Sequence, residues 1–113
     1  VTVTTIVILR TGLISEPELA GMAARIRETW NASIDAQFEV GRVLAQARLA
    51  FPSDTLYGQW LRREEFPFSQ ATAHRLRYAG ANERAVRKYM RANATKRGWS
   101  VTTTVKQMCR RVA

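Results

Sequence analysis

Apolar residues in this chain recur three and four positions apart, in segments separated by capping and helix-breaking residues, and that period favours packed helices. Ser15-Glu16-Pro17-Glu18 opens the first segment. Ser15 is a good N-cap, Glu18 completes a capping box, and Pro17 is tolerated in a first turn. Leu19, Met22, Ala23, Ile26 and Trp30 then follow at helical spacing. A second pattern runs from about Ala32 to Ala50 through Ile34, Phe38, Val40, Val43, Leu44 and Ala47. Thr29-Trp30-Asn31 between them holds weak helix formers but neither Gly nor Pro, so one long helix and two shorter ones are both open.

Phe51-Pro52-Ser53-Asp54 is a firm break: Pro52 stops the preceding helix, and Ser53 or Asp54 caps the next. That helix is short, from about Thr55 to Glu64, with Leu56, Trp60 and Leu61 as its apolar stripe. After a turn at Phe66-Pro67-Phe68, Ser69 caps a helix ending near Gly80, with Thr72, Ala73, Leu76 and Ala79 on one face. Asn82 caps a further helix through Asn93, with Val86, Tyr89 and Met90 inward. Gly98 closes a loop, and Ser100 caps a last helix carrying Val101, Val105, Met108 and Val112, although Thr102-Thr103-Thr104 is β-branched and weakens it.

The expected fold is therefore an all-α, small multi-helix domain. It has an extended or disordered segment at 1–14, a helical domain at 15–98 with a helix-turn-helix at 55–80, and a basic C-terminal helix at 99–113. Val1–Leu9 is apolar and Thr-rich, a candidate short strand, too short and wrongly flanked for a signal peptide. With 113 residues and 46% apolar side chains the chain supports one core, and dimerisation would help so small a domain.

Charge is distributed unevenly. Lys and Arg number 18 against 9 Asp and Glu, a net charge of +9. Residues 1–50 balance Arg10, Arg25, Arg27, Arg42 and Arg48 against Glu16, Glu18, Glu28, Asp35 and Glu39. Residues 51–83 balance Arg62, Arg63, Arg75 and Arg77 against Asp54, Glu64, Glu65 and Glu83. The whole excess lies in residues 84–113, which contain no carboxylate side chain. Charge of one sign repels itself, and a phosphate backbone is the commonest partner that offsets it.

Helix 69–80 has the make-up of a major-groove reader. Ala73 and Ala79 permit close packing inward, and Gln70, His74, Arg75 and Arg77 point donors outward. Gln pairs with adenine and Arg with guanine. The early positions usually read, which favours Gln70 and His74. Arg62 and Arg63, at the end of the preceding helix, are candidates for phosphate, as are Arg84, Lys88, Arg91, Lys96, Arg97, Lys106 and Arg110. The turn at 64–68 is longer than the usual three or four residues. A rival reader lies later: the last helix would expose Thr102, Thr103, Lys106, Gln107 and Arg110, and sequence leaves both helices open.

Three segments resemble a helix-turn-helix family of phage and plasmid proteins of unassigned function. They are Gly41-Arg42-Val43-Leu44-Ala45-Gln46-Ala47-Arg48, Tyr57-Gly58-Gln59-Trp60-Leu61 and Phe68-Ser69-Gln70-Ala71-Thr72-Ala73. The family pattern is a Gly-x-x-Leu helix, a Gly-x-x-x-x-Trp-Leu helix and a Ser-x-x-Thr-Ala helix, and the resemblance spans roughly 34–80. This chain shortens the second spacing to Gly58-x-Trp60 and adds the basic end. The resemblance implies a bacterial, phage or mobile-element origin and no catalytic residue.

The function expected from these features is cytoplasmic, sequence-specific binding of double-stranded DNA by a homodimeric regulator or accessory factor. The competing classes are an interaction protein that inhibits a host factor through its basic surface, and an RNA binder stacking bases on Tyr57, Trp60, Phe66, Phe68, Tyr78 or Trp99. No enzyme, cofactor or membrane role is expected. The single His and single Cys, His74 and Cys109, provide neither an acid–base constellation nor a thiolate metal site, and no apolar run reaches the roughly 20 residues of a membrane span.

Overall fold

The computed structural model describes residues 12–93 and 100–112, the last three through their backbone. The candidate strand at 1–9 lies outside them. Among the described residues the chain forms six helices and no strand: α1 (Glu16–Thr29), α2 (Ile34–Arg48), α3 (Asp54–Glu64), α4 (Gln70–Ala81), α5 (Glu83–Ala92) and α6 (Val101–Val112).

The helix starts follow the cap signals. Ser15 and Glu18 form the full capping box, and the Ser33, Ser53 and Ser69 hydroxyls accept the backbone N–H of Ala36, Leu56 and Thr72. Ser33 decides the question that the sequence left open, because its cap starts a separate α2. Asn82 departs from expectation. It stands before α5, but its side-chain amide donates backwards to the carbonyl of Tyr78, closing α4 instead of opening α5. At the end of α3, Glu65 takes the left-handed conformation (φ 51°) that turns the chain toward α4.

The packing centres on α4. Its main neighbour is α2, with α6, α3 and α5 also against it. At the α2–α4 crossing the two backbones touch. A Cβ on Gly41 would lie 2.0 Å from the carbonyl oxygen of Leu76, and one on Gly80 would lie 2.1 Å from the carbonyl carbon of Gly41. Neither helix could approach the other so closely with any side chain at these positions.

Two apolar clusters result. The larger joins Leu19, Ala23 and Ile26 of α1, Val40, Leu44 and Ala47 of α2, Tyr57, Trp60 and Leu61 of α3, and Ala73 and Leu76 of α4. The smaller gathers Phe38, Ala79, Val86, Val101 and Val105, with Met90 and Met108 at its edge. Ile34, expected on the inner face of α2, is exposed, because it sits in the first turn beyond the reach of either cluster.

Candidate nucleic-acid interface

The helix expected to read bases is held firmly in place, and two of its four candidate readers are engaged within the protein. The Gln70 amide donates to the Gly58 carbonyl at 3.1 Å and accepts from Arg62 at 3.4 Å. A side chain on Gly58 would press on that amide, since a Cβ there would lie 3.0 Å from it. Arg77 lies over the ring of buried Tyr57, 5.0 Å from its centroid, and 3.9 Å from Asp54. His74 is exposed beside that ring, and Arg75, half-buried, makes no side-chain hydrogen bond or ion pair among the described residues. A shallow furrow of about 380 Å³ runs between α2 and α4, lined by Ala45 and Arg48 on one side and His74, Arg77 and Tyr78 on the other.

The aromatic residues divide as packing dictates. Tyr57, Trp60 and Phe66 are buried and Phe68 is partly so, which removes the first three as base-stacking platforms; Tyr78 is exposed. Burial pushes the Tyr57 hydroxyl up to about 12, so it stays neutral, and it has no hydrogen-bond partner among the described residues. Trp99 lies outside the described residues.

The arginines before residue 84 mostly face carboxylates. Arg25 meets Glu39 at 2.9 Å, Arg27 meets Glu64 at 2.6 Å, Arg48 meets Asp54 at 2.8 Å, and Arg63 meets Glu64 at 3.3 Å. Arg42 pairs with Glu83. Hydrogen bonding from Arg48 holds the Asp54 carboxyl below its ordinary value, and hydrogen bonding from Arg87 does the same for Glu83, opposed by burial and reinforced by Arg42. Arg62, next to Gln70, has no carboxylate partner among the described residues.

The cations of α5 and α6 are arranged differently. Arg84, Lys88 and Arg91 are exposed along one stripe of α5, Lys106 is exposed on α6, and none of the four makes a side-chain hydrogen bond or ion pair among the described residues. Arg87 is the exception. It bonds Asp35 at 2.6 Å and Glu83 at 2.8 Å, and its guanidinium lies 4.2 Å from the centre of the Phe38 ring, so it fastens α5 to α2. Helical spacing separates Arg87 from the Arg84–Lys88–Arg91 stripe but does not identify its partners. Lys96, Arg97 and the side chain of Arg110 lie outside the described residues.

On α6, Val101, Thr104 and Val105 are buried, Thr103 and Lys106 exposed, and Thr102 and Gln107 half-buried. Ser100 caps the helix by accepting from the Thr103 N–H, while the Thr104 hydroxyl donates back to the Ser100 carbonyl at 2.8 Å. The β-branched run therefore supports the helix start. Gln37 of α2 accepts the Val101 N–H at 3.3 Å, tying that start to the rest of the fold.

No family model, curated protein or solved structure matches the chain. Among the described residues no helix is long and apolar enough to cross a membrane, and no group of His, Cys, Asp or Glu could hold a metal ion.

Proposed function

We propose that this chain binds double-stranded DNA, as a sequence-specific regulator or accessory factor of phage or mobile-element type, and that α5 and α6 carry its phosphate grip. One observation supports this most: Arg84, Lys88, Arg91 and Lys106 are exposed and unpaired among the described residues, in a protein whose earlier arginines mostly face carboxylates. Unpaired like charges on adjoining helices raise the energy of the free protein, and a phosphate backbone lowers it again while releasing condensed counterions. Lys96, Arg97 and Arg110 extend the same uninterrupted basic segment.

The test compares duplex DNA, double-stranded RNA, single strands and an acidic protein by fluorescence anisotropy at two salt concentrations. Preference for duplex DNA with a steep loss of affinity as salt rises is the expected result. Equal or tighter binding to RNA would transfer the function to RNA. Binding to the acidic protein alone would favour the host-factor reading.

A further inference from the structure

We propose that α6, not α4, is the helix that reads base edges; this rests on the duplex-binding function proposed for the chain. A reader needs an outward face of free donors and acceptors, a firm seat, and surroundings that attract phosphates. α4 has the seat but a reduced outward set. Gln70 is bonded to Gly58 and Arg62, Arg77 is placed over Tyr57, and Ala71 and Ala81 have no polar side-chain atom, which leaves His74, Arg75 and Tyr78. Asp54, 75% exposed, stands 3.9 Å from Arg77, and Glu65 is exposed at the turn leading into the helix. Phosphates drawn toward α4 would meet both carboxylates.

α6 meets all three requirements. Its inner face packs with Phe38, Ala79 and Val86, and Gln37 holds its first turn. Thr103, Lys106 and Gln107 sit three and four positions apart, so they share the outward side. Lys106 and Gln107 make no side-chain hydrogen bond among the described residues, while the Thr103 hydroxyl accepts from Ser100 at 2.9 Å and offers its methyl instead. Lys can donate to guanine O6 and N7, Gln can pair with adenine N6 and N7, and a Thr methyl can contact thymine. α5 packs against α6 and exposes Arg84, Lys88 and Arg91, and no carboxylate side chain follows Glu83 in the sequence. A helix with an exposed face of this kind fits the wide major groove of B-DNA, whereas the deep, narrow major groove of an RNA duplex would not admit it.

The experiment selects binding sites from a random duplex library with the parent protein, then titrates variants on the selected site and on scrambled duplex. Gln107→Ala should lose about tenfold or more on the selected site and much less on the scrambled one, whereas Lys106→Ala, which also removes a cation of the grip, should weaken both and the selected site more. Repeating the selection with each variant should relax a single base position. Circular dichroism of both variants should match the parent. If instead His74→Ala or Arg75→Ala relaxes a position while Gln107→Ala and Lys106→Ala weaken both duplexes equally, α4 is the reader and the inference is overturned. A selection that yields no consensus overturns it while leaving duplex binding intact. Absence of affinity for any duplex overturns the inference and the function it rests on together.

Discussion

The four helices α1–α4 and the pair α5–α6 use the same residue types in opposite ways. In α1–α4 the arginines close the structure: Arg48 spans the α2–α3 turn by holding Asp54 and the Phe51 carbonyl, and Arg27 reaches the Glu64 side chain and carbonyl. The core beneath them contains Trp60, Tyr57, Leu44 and Leu76, all essentially inaccessible to solvent. In α5–α6, Arg84, Lys88, Arg91 and Lys106 are exposed and unpaired among the described residues, beside a smaller cluster of Phe38, Ala79 and three valines. Phe38 and Arg87 join the two regions, one by apolar burial and the other by ion pairs above the same ring. Among the described residues, ion-paired arginine is concentrated in α1–α4, and exposed, unpaired cations are concentrated in α5–α6.

The largest expected effect comes from removing the joint. Phe38→Ala deletes a fully buried ring and should destabilise by about 3–5 kcal/mol in chemical denaturation. Amide exchange should show α5 and α6 losing protection before α1 and α3. Uniform loss across all six helices would mean that the two clusters unfold as one unit and that the regional contrast concerns charge alone.

Gly80→Ala should come next, at about 1–3 kcal/mol, because the added methyl meets the backbone of α2 and the helices must move apart. An unchanged denaturation midpoint would show that the α2–α4 crossing is looser than the geometry requires.

The helices are readable in the sequence because their signals are local. Ser15, Ser53, Ser69 and Ser100 each mark a start, and the period of the apolar residues gives the buried faces of α1 to α5. What sequence does not supply is long-range pairing. Asp35 and Arg87 are fifty-two positions apart, and nothing near either residue indicates the other. For the same reason Gln70 reads as a free donor in sequence, although the backbone bond to Gly58 that occupies it forms only when α3 and α4 fold back on each other. The approach of Gly41 to Gly80 is equally hidden: each glycine alone is compatible with many environments, and only the crossing explains both. The charge imbalance is visible because it is a property of composition.

A smaller effect should follow from Glu83, which joins Arg42 and Arg87 across the boundary. Its folded carboxyl is held below the ordinary value of 4.5, so it contributes stability fully above that pH and loses it as pH falls through the folded value. Glu83→Gln should therefore cost about 0.2–1 kcal/mol at neutral pH, the range for partly exposed pairs, and progressively less below about pH 4.5. Denaturation curves of parent and variant at both ends of that window check it. A difference independent of pH would assign the loss to packing.

The smallest effect on stability should accompany the largest change in α5 charge. Arg84→Gln, Lys88→Gln and Arg91→Gln together remove three exposed cations that form no ion pair among the described residues. Folding stability should move by no more than about 0.5 kcal/mol, as for ordinary surface substitutions. At low salt it should move upward, since mutual repulsion is relieved. Binding should respond in the opposite sense. Affinity for every duplex should fall by a similar factor, and the log–log salt slope should flatten by roughly 0.9 for each phosphate no longer neutralised. Both quantities come from one protein preparation, so the comparison is internal. A triple variant that unfolds more easily would place these cations in the supporting role that Arg27 and Arg48 have in α1–α4. A variant with unchanged stability and an unchanged salt slope would move the phosphate grip off the α5 stripe, onto Lys96, Arg97 and the basic residues of α6. Nearly unaffected stability with a weakened salt dependence would keep the grip on α5 and the division of charge between the two regions.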